Sequence, residues 1–153
     1  MQLGADVPVF VRGEAAWAEG AGELLTAITL PEPWYLVVVV PCHVETAKVF
    51  LHENLTRDAV PIRMCGFLSG DAENSCEAVV KQEYPLVGEA LAWLEHYAPA
   101  KMSGTGCSVF AAFDQRSAAE VVLAKLPNDW HGFVAKGKNI SPLNDRLAQA
   151  KTL

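Results

Sequence analysis

Lys101-Met-Ser-Gly-Thr-Gly-Cys-Ser-Val-Phe-Ala-Ala-Phe113 is the stretch on which the fold turns. Residues 101–103 and 108–113 read as strands, and the glycines between them permit the tight connection that joins the two. On the N-terminal side, Pro85 suits a first helical position. Val87, Ala90, Leu91, Leu94 and Tyr97 then share one face of a helix that Pro99 ends. Residues 76–83 form another helix and residues 45–52 a short one, with loops expected over 54–61 and 66–74. Residues 35–40 make a continuous β-branched run, the mark of a buried strand, which Pro41 stops. On the C-terminal side, Ser117-Ala-Ala-Glu120 reads as a capping box opening a helix that carries Val121, Val122 and Leu126. Residues 132–136 supply a last strand, and the polar tail from Asn144 is expected to fray. The order strand, helices, strand, strand, helix, strand predicts an α+β fold. It is the ferredoxin-like split β-α-β arrangement, an antiparallel sheet with helices on one face.

Ahead of this domain the pattern differs. Residues 7–11 read as a short extended segment. Residues 15–18 and 24–30 flank the turn Glu19-Gly-Ala-Gly22 and predict a hairpin. Pro31-Glu-Pro33 is a stiff linker, which places a boundary there and divides the chain into 1–32, 33–143 and a tail over 144–153.

Composition narrows the function classes. The chain has 153 residues, 51% of them hydrophobic and 20% charged, enough to bury a core. Its net charge of -6 speaks against a protein that tracks a nucleic-acid backbone. Neither a signal peptide nor an apolar run long enough to cross a bilayer is visible, so a cytoplasmic protein without membrane contact is expected. Cys42, Cys65, Cys76 and Cys107 form no C-x-x-C pair, and the histidines at 43, 52, 96 and 131 are scattered. Reduced structural cysteines and no metal site are the expectation.

Three segments have the residue types for chemistry. Asp6 stands between small residues and Pro8; by itself it reads as a helix-end or turn aspartate. Ser103, Gly104, Thr105 and Gly106 can turn backbone N–H groups toward an anion. They lack the lysine of a P-loop, and a strand follows where a dinucleotide fingerprint needs a helix. Thr46 and Phe50, four apart on a helix, share a face, so a hydroxyl and a ring could hold a base together. The alternative is a core phenylalanine with an incidental threonine.

GADVPVFVRG, AWAEGAGELLT, KMSGTGCSVFAAF and HGFVAKGKNISPL, in that order, resemble successive blocks of the 4-diphosphocytidyl-2-C-methyl-D-erythritol kinases, a family of GHMP kinases. The resemblance runs from Leu3 to Leu143 and is weakest over residues 43–83. The SGTG block is shared by the GHMP superfamily, whereas GADVPVF and GFVAKG are more specific to this kinase.

The resemblance implies the C-terminal half of such an enzyme, with 1–32 as a remnant of the ATP-binding domain and 33–143 as the substrate-side domain. The family transfers the γ-phosphoryl group of ATP, with Mg, to the tertiary hydroxyl of a cytidine-diphosphate-linked methylerythritol in non-mevalonate isoprenoid synthesis. Asp6 matches its catalytic aspartate. Thr46 and Phe50 match the cytidine side, Phe50 lying on the base, and Ala21 falls where the backbone meets that base. Ser103 to Gly106 match the glycine loop beside the phosphates. No position matches the family's catalytic lysine or its glycine- and serine-rich phosphate loop. The start of the chain looks cut, and the fragment alone is expected to be inactive, to hold no cofactor tightly, and to suit homodimer formation through open strand edges. Two alternatives stand beside this: a GHMP kinase for mevalonate, phosphomevalonate or homoserine, and a non-catalytic ferredoxin-like binding module.

Overall fold

The computed structural model describes residues 4, 6–58, 64, 66 and 73–150. It separates into two compact units, Pro33–Lys136 and the pair of segments Met1–Glu32 and Gly137–Leu153.

Strand β3 (Trp34–Val39) is the centre of the larger unit. It pairs antiparallel with β5 (Ser108–Phe113) on one side and β6 (His131–Lys136) on the other. The short β4 (Ala100–Met102) adds to the outer edge of β5, giving the order β4-β5-β3-β6. Counted from β3, this is the 2-3-1-4 order of the ferredoxin-like fold, as the element sequence predicted. Register follows from the hydrophobic pattern. Leu36 lies opposite Ala111 and Val38 opposite Val109, and all four are fully or almost fully buried on one face of the sheet.

Helices cover that face. Helix α2 (Thr46–Leu51) follows β3, and α3 (Glu77–Glu83) and α4 (Pro85–Glu95) follow in turn. Helix α4 buries Val87, Ala90, Leu91 and Leu94, the predicted stripe, against β5 and β4. Tyr97 lies beyond the helix end, partly exposed, with the Lys125 ammonium 5.2 Å from its ring centre. Helix α5 (Arg116–Leu123) packs on β3 and β6. Gly132 makes that approach possible: a Cβ there would stand 3.0 Å from Leu123 Cδ1 and 3.1 Å from Leu126 Cδ2.

Several local expectations are corrected. The capping box at 117–120 does not form. Helix α5 begins at Arg116, two residues before the start that box implies, after an extended Gln115 with no side-chain cap, and Arg116 Nε takes the Glu120 carboxylate at 2.8 Å. Its buried residues are Ala119 and Val122, while Val121 is exposed. Of the two expected loops, 54–58 carries no helix or strand and Gly66 has helical backbone; residues 59–63, 65 and 67–72 lie outside the described residues.

In the smaller unit, residues 7–11 are not extended. They form helix α1 (Val7–Arg12), because Pro8 near its start is already set at a helical φ and Gly13 ends it with φ 68°. The hairpin forms as expected from β1 (Ala16–Glu19) and β2 (Leu24–Ala27). Over residues 144–150 the tail is not frayed: helix α6 (Pro142–Ala150) occupies them, and residues 151–153 lie outside the described residues. Residues 137–143, grouped by sequence with the larger domain, belong to this unit. Asn139 explains why. Its side-chain amide exchanges two 2.8 Å hydrogen bonds with the backbone of Leu30, and its own N–H donates to Glu32 Oε1 at 2.8 Å. That backbone bond, with Lys138 beside it, holds the Glu32 carboxyl below its ordinary range.

Helix α2 is clipped to α3. Lys48 Nζ lies 3.2 Å and His52 Nε2 3.5 Å from the Glu83 carboxylate, and the N–H of Glu45 donates to the Tyr84 hydroxyl at 3.2 Å. The hydrogen bond from Lys48 holds the Glu83 carboxyl below its ordinary value, partial desolvation opposing it.

Two predictions follow from this packing. Leu36→Ala removes a fully buried side chain from the central strand and is expected to cost about 2–5 kcal/mol, read from urea unfolding midpoints. Glu83→Gln is expected to lower Tm at neutral pH. Because the folded carboxyl is shifted down, its stabilisation is present above its unfolded value and is lost as pH falls through the lower folded one. The Tm gap between wild type and variant should therefore narrow on acidification; a gap that does not change with pH would show that the clip is not electrostatic.

Candidate functional site

The loop between β4 and β5 is where the larger unit gathers its polar groups. The Ser103 N–H donates to the Ser108 carbonyl at 2.9 Å, and the Gly106 N–H to the Ser103 carbonyl at 2.9 Å, closing the turn. Gly104 and Gly106 have φ 56° and 84°, the left-handed region that residues with a Cβ rarely occupy. Gly106 is also seated: a Cβ there would touch Met102, Val44 and Val80 at 3.5 Å.

Thr105, half-buried in this loop, meets helix α2. Its Oγ1 lies 3.0 Å from Oγ1 of Thr46, the first residue of that helix. One predicted segment is thus joined directly to another, across 59 residues of chain. Phe50 stands one turn further along α2 and is 53% exposed. The residue that anchors α2 in the core is Val49, at 1% exposure. The Phe50 carbonyl accepts from Arg57 Nη2 at 2.8 Å, so the segment after the helix folds back on its last turn.

Two predicted site residues belong to the smaller unit. Asp6 precedes α1 with helical backbone angles, is exposed, and makes no side-chain cap bond, which leaves its carboxylate unspent on the helix. Ala21 lies in the hairpin turn. Its N–H donates to Glu23 Oε2 at 2.7 Å, so a ligand meeting this residue must displace the carboxylate or use the carbonyl.

Asn74 was missed. Its Nδ2 donates to the carbonyls of Gly104, at 2.7 Å, and Met102, at 3.2 Å, while its Oδ1 accepts from the Cys76 N–H at 3.0 Å. The sequence did hold one signal for it: an asparagine three residues before Glu77 is a helix-start pattern. Its bonds to the glycine loop, 28 and 30 residues away, had none.

Cys42, Cys76 and Cys107 are free thiols, and Cys65 lies outside the described residues. Burial, then the neighbouring Cys107, pushes the Cys42 thiol up, and burial does the same for Cys76, so both stay protonated at neutral pH. Among the described residues no three metal-ligating side chains converge, and no helix is long and apolar enough to cross a membrane.

Comparison with known proteins bears on the family and the fold. The family described as "GHMP kinases C terminal" matches residues 57–132. The 4-diphosphocytidyl-2-C-methyl-D-erythritol kinase of Nitrosococcus oceani is 54% identical over 147 residues, 96% of this chain and 52% of the relative. That of Tolumonas auensis is 51% identical over 148 residues, 97% of this chain and 52% of the relative. A crystal structure of 4-(cytidine 5'-diphospho)-2C-methyl-D-erythritol kinase superposes with a TM-score of 0.66 at 26% identity, covering 90% of this chain and 55% of that one. The chain spans about half the length of the curated relatives it matches. With identity of this level along nearly its whole length and the matching fold, the chain belongs to the GHMP kinases.

Proposed function

We propose that this chain is the C-terminal, substrate-side part of a kinase that phosphorylates the tertiary hydroxyl of 4-diphosphocytidyl-2-C-methyl-D-erythritol with ATP. The observation that carries the reading is the 3.0 Å contact between Thr46 and Thr105, in a chain 54% identical to a kinase of that name. It joins the helix read as the base-binding side to the loop read as the phosphate side.

In this reading the substrate hydroxyl oxygen attacks the γ-phosphorus, the bond from that phosphorus to the bridging oxygen breaks, and ADP departs. Asp6 accepts the hydroxyl proton. An exposed carboxylate not committed to a helix cap suits that task. Phe50 offers its half-exposed ring to the cytosine and Thr46 its hydroxyl to a polar edge of the base. The N–H groups of Gly104 and Thr105 are offered to the nucleotide phosphates, since those of Ser103 and Gly106 close the turn. Magnesium would arrive with the phosphates of ATP, which it binds readily.

The reading is tested by fusing this chain to the N-terminal half of the Nitrosococcus oceani relative and following ADP release. Turnover confined to the cytidylated methylerythritol is the expected result. Turnover of mevalonate, phosphomevalonate or homoserine instead would replace the substrate, and a folded fusion inert toward all four would favour a binding module.

In the same fusion, Phe50→Ala should weaken the cytidine substrate by about 1–3 kcal/mol, the worth of stacking a base on a ring, and leave ATP affinity unchanged. Because the ring is already 53% exposed, stability should move by no more than about 0.5 kcal/mol. Calorimetric titration with a melting curve separates these; a large fall in Tm with intact cytidine binding would make Phe50 structural. Asp6→Asn should lower kcat by about 100- to 10,000-fold, with KM little changed. A kcat near wild type would remove Asp6 from the proton-transfer role.

A further inference from the structure

We propose that Asn74 is the positioning residue of the glycine loop: its amide group holds the tip of residues 103–106 so that Thr105 is presented to Thr46. The loop is supported unevenly. Gly106 is packed against Met102, Val44 and Val80, but a Cβ on Gly104 would meet nothing within 4 Å. Packing therefore does not place the tip. Its carbonyl instead accepts from Asn74 Nδ2 at 2.7 Å, the shorter of that group's two bonds, and the other goes to Met102 at 3.2 Å. Both N–H bonds of the amide are thereby used.

The opposite end of the same side chain is committed to α3. Asn74 Oδ1 accepts from the Cys76 N–H at 3.0 Å, and the Asn74 carbonyl accepts from the Glu77 N–H at 2.9 Å. The start of α3 lies on the core, with Cys76, Val79 and Val80 buried. One planar amide thus ties an exposed glycine to a helix whose first turn is buried in the core. An aspartate in its place could keep the bond to Cys76, but would turn an oxygen toward two carbonyl oxygens. Serine and alanine are too short to reach both sides.

What the loop contacts in catalysis rests on the kinase reading above; its placement by Asn74 does not, and the test uses the 153-residue chain without a kinase assay. Amide hydrogen exchange by NMR is compared for wild type, Asn74→Asp and Asn74→Ala. Asn74→Asp is expected to speed exchange of the Gly106 N–H by roughly tenfold or more and to shift the Gly104 and Thr105 resonances. The amides of Cys76, Glu77 and strand β5 should keep their wild-type protection. Asn74→Ala should release the Cys76 amide as well. Wild-type protection of Gly106 in Asn74→Asp would overturn the proposal, since the side chain would then serve only the helix. Equal acceleration at Gly106 and throughout β5 would overturn it too, because the effect would be loss of global stability.

Discussion

The antiparallel pairing of β3 on both its edges, with Leu36, Val38 and Val40 turned to one buried face, is the constraint on which the rest of the larger unit depends. A strand bonded on both sides has no freedom of register, because a slip of one residue would put its aliphatic side chains on the opposite face of the sheet. With β3 set, β5 is set opposite it, and the loop that enters β5 must turn at residues 103–106. Helix α4 then covers β5 and β4, and α5 covers β3 and β6. The glycine loop inherits its place from the pairing of β3 with β5.

The polar groups of the site are held differently from the core. Helix α2 is short, and a six-residue helix has little stability of its own. It stays in place through Val49 below, the Glu83 carboxylate between Lys48 and His52, and the Tyr84 hydroxyl at Glu45. None of these residues is a candidate for touching substrate. They determine where Thr46 and Phe50 stand, in the same way that Asn74 determines where Gly104 stands. In this arrangement Phe50 is exposed on a short helix, and Val49, which holds that helix, lies beneath it.

Sequence patterns were dependable where one local force dominates. The stripe on α4, the β-branched run of β3 and the paired glycines of the hairpin were all legible, since burial period and positive φ leave a direct mark on residue choice. They failed where two local signals competed. Pro8 among β-branched neighbours looked extended, yet a proline near a helix start and a glycine after its end fit a short helix equally well, and α1 forms. Ser117 and Glu120 had the right spacing for a capping box, but Arg116 claimed the glutamate. The polar tail looked free because Gly13, whose carbonyl accepts from Asn144 Nδ2 at 3.3 Å, is more than a hundred residues away.

By itself, then, the sequence determined the class of fold, the strands of the larger unit with helices α2 to α5, and the family, because those rest on periodicity and on blocks of contiguous residues. Thr46, Phe50 and the glycine loop could each be picked out for their chemistry, but not as neighbours. Only the tertiary structure brought Thr46 to Thr105, showed that Val49 and not Phe50 is the buried residue of α2, and gave Asn74 its place under the loop. The physical reason is that a hydrogen bond between distant segments depends on where the sheet carries them, and no residue's identity records the position of a partner it meets only after folding.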